Sequence, residues 1–270
     1  MKIEQIKITP ELAEQYLAKN MKNRNVSKNR VLAYASDMKE GRWQLNPQAI
    51  VFSESGELID GQHRLQAVIT SGCTVEMLVM HGAPNESRDI IDSGKPRSAG
   101  DVLSIDGMSY ATNVAATAKK ILAYEKGGKS IVGSANKGNS AAANLDVNSK
   151  IEVVNYARDN AEMLITLCQK ASNIYSSSNI NLIAMSDIAF LLHALEPEEE
   201  AVDFLEKVIS GIGLEAATPE LAMRRILERV RIKRDLPLTS SEVTSYFFVA
   251  FEKFVRRESC EILRLPKRMK

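Results

Sequence analysis

Apolar residues recur along this chain with two different periods, and the change of period marks out its elements. In residues 3–8 apolar and polar side chains alternate, as on a half-buried strand. Thr9-Pro10-Glu11 then supplies an N-cap, a first-turn proline and a first-turn acid for a helix reaching residue 19. Ser27 opens a second helix on which Val31, Tyr34, Ala35 and Met38 fall at helical spacing, and Gly41 closes it ahead of Trp43. Residues 49–52 and 58–59 read as a hairpin about the turn Glu54-Ser55-Gly56. From Gln62 the helical period returns through Leu65, Val68 and Ile69 until Ser71-Gly72, after which 75–80 reads as a buried strand.

Further along, 84–91 reads as a short helix, 92–97 as a polar loop, and 98–103 and 110–124 as helices. Residues 126–143 are rich in Gly, Ser, Asn and Ala without periodicity, which reads as a linker or loop. Amphipathic helical patterns fill 147–172, 180–195, 198–209, 219–233 and 241–257, with no strand and no repeat of solenoid period. The pattern predicts an α+β chain. Its first domain, 1–108, has a small mixed sheet with flanking helices; a connecting helix follows at 109–126 and a linker at 127–147. An all-helical domain fills 148–270.

Composition narrows the picture. With 44% apolar and 26% charged residues in 270, the chain has ordinary globular character and length enough for two domains. The net charge of +1 hides an uneven distribution, because residues 221–270 carry 13 Lys/Arg against 6 Asp/Glu. Cys73, Cys168 and Cys260 are isolated and form no CxxC pair, which argues against a disulfide framework or structural zinc and suits a reducing cytoplasm. No segment has the length of apolar sequence a membrane span needs.

Candidate chemistry concentrates at Asp60-Gly61-Gln62-His63-Arg64. A strand ends in Asp60, Gly61 permits a tight turn, and a helix begins with Gln62, His63 and Arg64. The amide-rich positive end of such a helix favours phosphate, to which Arg64 and His63 could add donors. The plainer reading makes Asp60 a cap and leaves the other side chains paired locally. Lys95 and Arg97 flank Pro96 in the polar loop and could reach the same phosphates or a DNA backbone, or be solvated. Asp60 and Asp92 are the nearby carboxylates for general-base or Mg²⁺ duty. Asn23, Arg24, Asn25, Lys28 and Arg30 form a basic, amide-rich stretch with the same two readings. Trp43 could stack on a base, although anchoring a helix to the sheet is favoured, and His81 and His193 read as structural. Near the C-terminus Arg224, Arg225, Arg229, Arg231, Lys233 and Arg234 share one helix, a density suited to DNA, while Phe247, Phe251 and Phe254 read as core.

The run from Leu58 to Ala67 resembles the signature of the ParB/sulfiredoxin superfamily, a Gly-x-x-Arg loop opening a helix after a strand, in its DGQHR-like form. That resemblance covers residues 1–105. A looser one, through Ile8-Thr9-Pro10-Glu11-Leu12, Gly41-Arg42-Trp43 and Ile91–Arg97, is to proteins common in phages, prophages and plasmids. The superfamily implies a nucleotide held by Gly61, Gln62, His63 and Arg64, with Lys95 or Arg97: an NTP, either ATP or CTP, with Mg²⁺. Gln62 stands where sulfiredoxins carry their nucleophilic cysteine, which excludes that chemistry. The helix-turn-helix and second phosphate motif of partition clamps are not recognisable. The expectation is therefore a nucleotide-gated, DNA-associated protein of a mobile element, possible as a homodimer. Its rivals are a phosphotransferase, NTPase or metal-dependent nuclease, and an interaction protein that binds no nucleotide.

Overall fold

The computed structural model describes residues 1–20, 26–85, 87, 97–126, 149–178 and 180–265. The sequence expectations for 84–91, for the loop with Asp92 and Lys95, for the stretch holding Asn23 to Asn25 and for the linker lie largely outside these residues. The chain is α+β, with a four-stranded mixed sheet and helices over more than half its length. It divides into two compact units, one built from 1–98 with 149–152 and the other from 99–126 with 153–265.

In the first unit, strand β1 (Lys2–Ile8) runs into helix α1 (Pro10–Leu17) through Thr9, whose hydroxyl accepts the Leu12 N–H at 3.2 Å. Helix α2 (Lys28–Lys39) follows. Strands β2 (Ile50–Ser53) and β3 (Leu58–Asp60) form the expected hairpin, which leads to helix α3 (Gln62–Ser71) and strand β4 (Val75–Ala83). The sheet order is β1-β4-β2-β3; β4 lies antiparallel to β1 and parallel to β2, so α3 is the crossover between parallel neighbours. Ile8, Ile50, Phe52, Leu58, Leu65, Val68 and Val79 fill the space between sheet and helices. Trp43 packs edge-on against Tyr34 with ring centroids 5.8 Å apart and joins this core, as the anchoring reading expects.

A buried polar knot holds the end of α2. Asp37 is 3% exposed, and its carboxylate accepts from Arg42 Nε at 3.0 Å and from the Ser149 hydroxyl. Its carbonyl takes the N–H groups of Arg42 and Trp43, closing the turn that carries the Gly-Arg-Trp run. Ser149 in turn accepts the Glu152 N–H at 3.0 Å and so caps helix α6 (Lys150–Asp159).

The described elements of the second unit are helices: α4 (Ala99–Ile105), α5 (Ala111–Lys126), the body of α6, α7 (Ala161–Ser176), α8 (Met185–Ala194), α9 (Glu198–Ser210), α10 (Pro219–Glu228) and α11 (Ser240–Val255). Helix α4 belongs here because Leu103 is buried in this unit's core and Gly100 lies close against Thr112, so the division falls ten residues earlier than the expected 108. The pattern over 147–172 is two helices, interrupted at Asn160, whose φ of −117° and ψ of 29° are non-helical and whose side-chain amide turns back to the Tyr156 carbonyl. The 180–195 pattern begins its helix only at Met185, where Asp187 reaches back to the Ala184 N–H, while Leu182 and Ile183 are buried ahead of it. The 219–233 pattern is α-helical only to Glu228; Arg229–Lys233 forms a π turn that ends at Arg234 with φ +55°.

Tyr156 donates to Glu125 at 3.4 Å, and burial with the nearby Glu125 carboxylate pushes its phenol up to about 12. The folded-state value exceeds the ordinary one, so the contribution to stability is complete below pH 10 and is lost as pH rises from about 10 to 12. Thermal melts across that range should fall more steeply for the wild type than for Tyr156→Phe; parallel curves would refute the coupling.

Candidate functional site

The Asp60 to Arg64 run sits where β3 hands the chain to α3. Gly61 is the N-cap residue with φ +108° and ψ 0°, a conformation reserved for glycine. The approach of Ile50 adds a second reason for glycine, since a Cβ there would lie 2.4 Å from Ile50 Cδ1 and 3.3 Å from Ile50 Cα. Asp60 Oδ1 accepts the Gly61 N–H at 2.6 Å, and the Gly61 carbonyl accepts the N–H groups of Arg64 and Leu65, each at 3.0 Å. The turn is thereby closed on both sides.

The three side chains that follow are turned into the protein. Gln62 is 5% exposed, His63 8% and Arg64 6%, an uncommon run of buried polar residues. The Arg64 guanidinium donates to the Gln48 carbonyl, to the Ala49 carbonyl at 2.9 Å and to Asp60 Oδ2 at 2.9 Å. It therefore ties the entry of β2, the end of β3 and the start of α3 into one piece. Gln62 Oε1 accepts from Asn20 Nδ2 at 3.1 Å, and His63 Nε2 accepts the Ser27 N–H at 3.0 Å, which leaves the ring proton on Nδ1. Asn20 follows α1 and Ser27 precedes α2, so both ends of the α1–α2 connection hang from the first turn of α3. Beside it Phe52 stacks on His81 with centroids 5.0 Å apart, meets Tyr16 edge-on at 4.9 Å and carries Lys19 over its ring.

No family model, no curated protein and no solved structure matches this chain.

The other sequence candidates fall as follows. Arg97 is exposed, whereas Asp92 and Lys95 lie outside the described residues. The Asp60 carboxylate is occupied by Gly61 and Arg64. Among the described residues no group of three or more His, Cys, Asp or Glu is arranged to hold a metal, and no helix is long and apolar enough to cross a membrane. In the helical unit Arg224 is drawn inward. Its Nη1 donates to the Val208 and Ile209 carbonyls, each at 2.8 Å, and its Nε to Glu228 at 3.0 Å, so this cation caps the C-terminus of α9. Arg229 pairs with Asp235 at 3.2 Å, while Arg225, Arg231, Lys233 and Arg234 are exposed. Burial pushes the thiols of Cys168 and Cys260 up, away from thiolate chemistry. The Asp37–Arg42–Ser149 knot was not foreseen; the Gly-Arg-Trp run just after a helix was its one visible sign.

Proposed function

We propose that the first unit binds a nucleotide at the N-terminus of α3 and that the basic end of the helical unit associates with DNA, the nucleotide gating that association. The observation that carries this reading is the consecutive burial of Gln62, His63 and Arg64 behind a glycine-only turn. Hydrogen-bonded within the protein, these three polar side chains stiffen a helix start where the dipole and backbone donors favour phosphate. The DGQHR-like run and its strand-turn-helix setting support a ParB/sulfiredoxin-type fold for this unit, and with it an NTP, ATP or CTP, carried with Mg²⁺.

Arg64 holds the turn by donating to the oxygens of Gln48, Ala49 and Asp60, so in this reading it positions the loop, and the phosphates are met by first-turn donors together with Arg97 and Lys95. Arg225, Arg231, Lys233 and Arg234, the exposed members of the basic run, offer the DNA contacts. The setting that fits is a cytoplasmic protein of a phage, prophage or plasmid, acting alone or as a homodimer.

The test is a thermal-shift screen with ATP, CTP, GTP, UTP and their diphosphates plus Mg²⁺, run on the wild type and on Gln62→Glu. A carboxylate at 62 still accepts from Asn20 and suits the positive helix end, yet it repels phosphate, and its melt without nucleotide reports whether the fold is kept. One nucleotide at about 100 times its dissociation constant should stabilise the wild type by about 2.7 kcal/mol and leave Gln62→Glu unmoved. Indifference of the wild type to every nucleotide would end the proposal.

A further inference from the structure

The helical unit contains a cleft of about 110 Å³ between α8, the end of α10 with its π turn, and the start of α11. Its floor is apolar and deeply buried: Leu191, Leu227 and Phe247 are each 1% exposed. Its mouth is polar, formed by Asp187, Arg231, Ser240 and Thr244. These charges are not balanced within the cleft. Asp187 is ion-paired with Lys120, which also bonds the Ser186 hydroxyl at 3.2 Å. Arg231 makes no hydrogen bond or ion pair with the described residues, and it lines the cleft together with Ser240, the first residue of α11. The wall that carries Val230 and Arg231 is the π turn, a helical irregularity frequent at functional sites.

We infer that this cleft is a binding site for a short, branched aliphatic carboxylate, its alkyl group on Leu191, Leu227 and Phe247 and its anion on the Arg231 guanidinium at the N-terminal end of α11. Size sets the alkyl part. At about 10–15 Å³ of such volume per water-sized group the cleft takes about seven to eleven small heavy groups, room for an isobutyl group with its carboxylate and too little for a long acyl chain. Charge sets the head: Lys120 neutralises Asp187 and Glu242 caps the start of α11, so Arg231 is the cation left at the cleft to select an anion over an amine. The site lies wholly within the helical unit and shares no residue with the Asp60 to Arg64 turn, although Arg231 is also among the cations offered to DNA above.

The probes are 3-methylbutanoate, the neutral 3-methylbutan-1-ol of the same shape, and acetate as the head alone, each titrated into the full chain and followed by ligand-observed NMR. A ligand of about seven non-hydrogen atoms should bind with a dissociation constant of about a millimolar or less. The acid should bind about tenfold more tightly than the alcohol, and acetate not detectably; Arg231→Gln should weaken the acid by about tenfold and leave the alcohol unchanged. Val243→Phe, which fills the cleft, should abolish binding of both. Arg231 is exposed, so its variant is not at risk of unfolding and decides the matter if Val243→Phe proves unstable. Absence of acid binding, equal affinity for acid and alcohol, or acid binding untouched by Arg231→Gln would each overturn the site.

Discussion

Arg64→Ala is expected to destabilise the first unit by about 2–3 kcal/mol, the range for losing the hydrogen bonds of a buried charged group whose partners keep some access to solvent. The guanidinium is 6% exposed and bonds two carbonyls and a carboxylate. Removing it leaves the Gln48 and Ala49 carbonyls without this donor and Asp60 with the Gly61 N–H. Lysine does not rescue the position, because a single ammonium on a flexible stem cannot serve three separated oxygens as a planar fork does. Urea denaturation of wild type, Arg64→Lys and Arg64→Ala should give that order of stability. A loss under about 1 kcal/mol for Arg64→Ala would mean that the clamp is not the support described. The same expectation makes Arg64→Ala a poor probe of ligand binding, since lost binding and lost structure would coincide.

Gly61→Ala should cost about 3 kcal/mol, from two independent sources. A non-glycine residue forced to φ +108° costs about 1–3 kcal/mol, and forcing a methyl group into a filled space costs about as much again. The added Cβ meets the end of the Ile50 side chain at 2.4 Å and its backbone Cα at 3.3 Å. The first of these contacts can be relieved and the second cannot. Ile50→Val, which deletes Cδ1, should therefore be less harmful in the Gly61→Ala background than in the wild type, a positive coupling readable from a double-mutant cycle. Simple additivity of the two substitutions would show that the Ile50 contact is not what excludes a side chain at 61.

Local rules carried much of the first unit. Thr9-Pro10, Gly72 and the alternation in 3–8 each act within a few residues, and α1, α3 and β1 lie where those signals put them. What escaped was decided at a distance. Amphipathic spacing persists across Asn160 and across Glu228, because an interrupted helix can keep one apolar face through the break; the interruption comes from a side chain competing for a backbone carbonyl in one case and from a widened turn in the other. The turn at Asp60 to Arg64 was legible, since glycine before a polar helix start is a local signal. The direction in which those side chains point was not, because the oxygens that turn Arg64 inward belong to residues 48 and 49, supplied by the neighbouring strand. Arg224 repeats the lesson: in sequence it is one cation among six, and only the C-terminus of α9 distinguishes it.

The bond between Ser149 and Asp37 makes the first unit discontinuous in sequence. The chain leaves it after residue 98 and comes back to contribute 149–152, so the helices of 99–126 occupy the position of an insertion. A fragment ending at the boundary that the sequence pattern suggests, near 108, would contain the whole sheet and the whole Asp60 to Arg64 turn. It would nevertheless lack the hydroxyl that shares the Asp37 carboxylate with Arg42. The smallest piece of this protein that keeps its sheet-bearing unit whole is therefore not a prefix of the chain, and any exchange of the C-terminal half would have to carry residues 149–152 across unchanged.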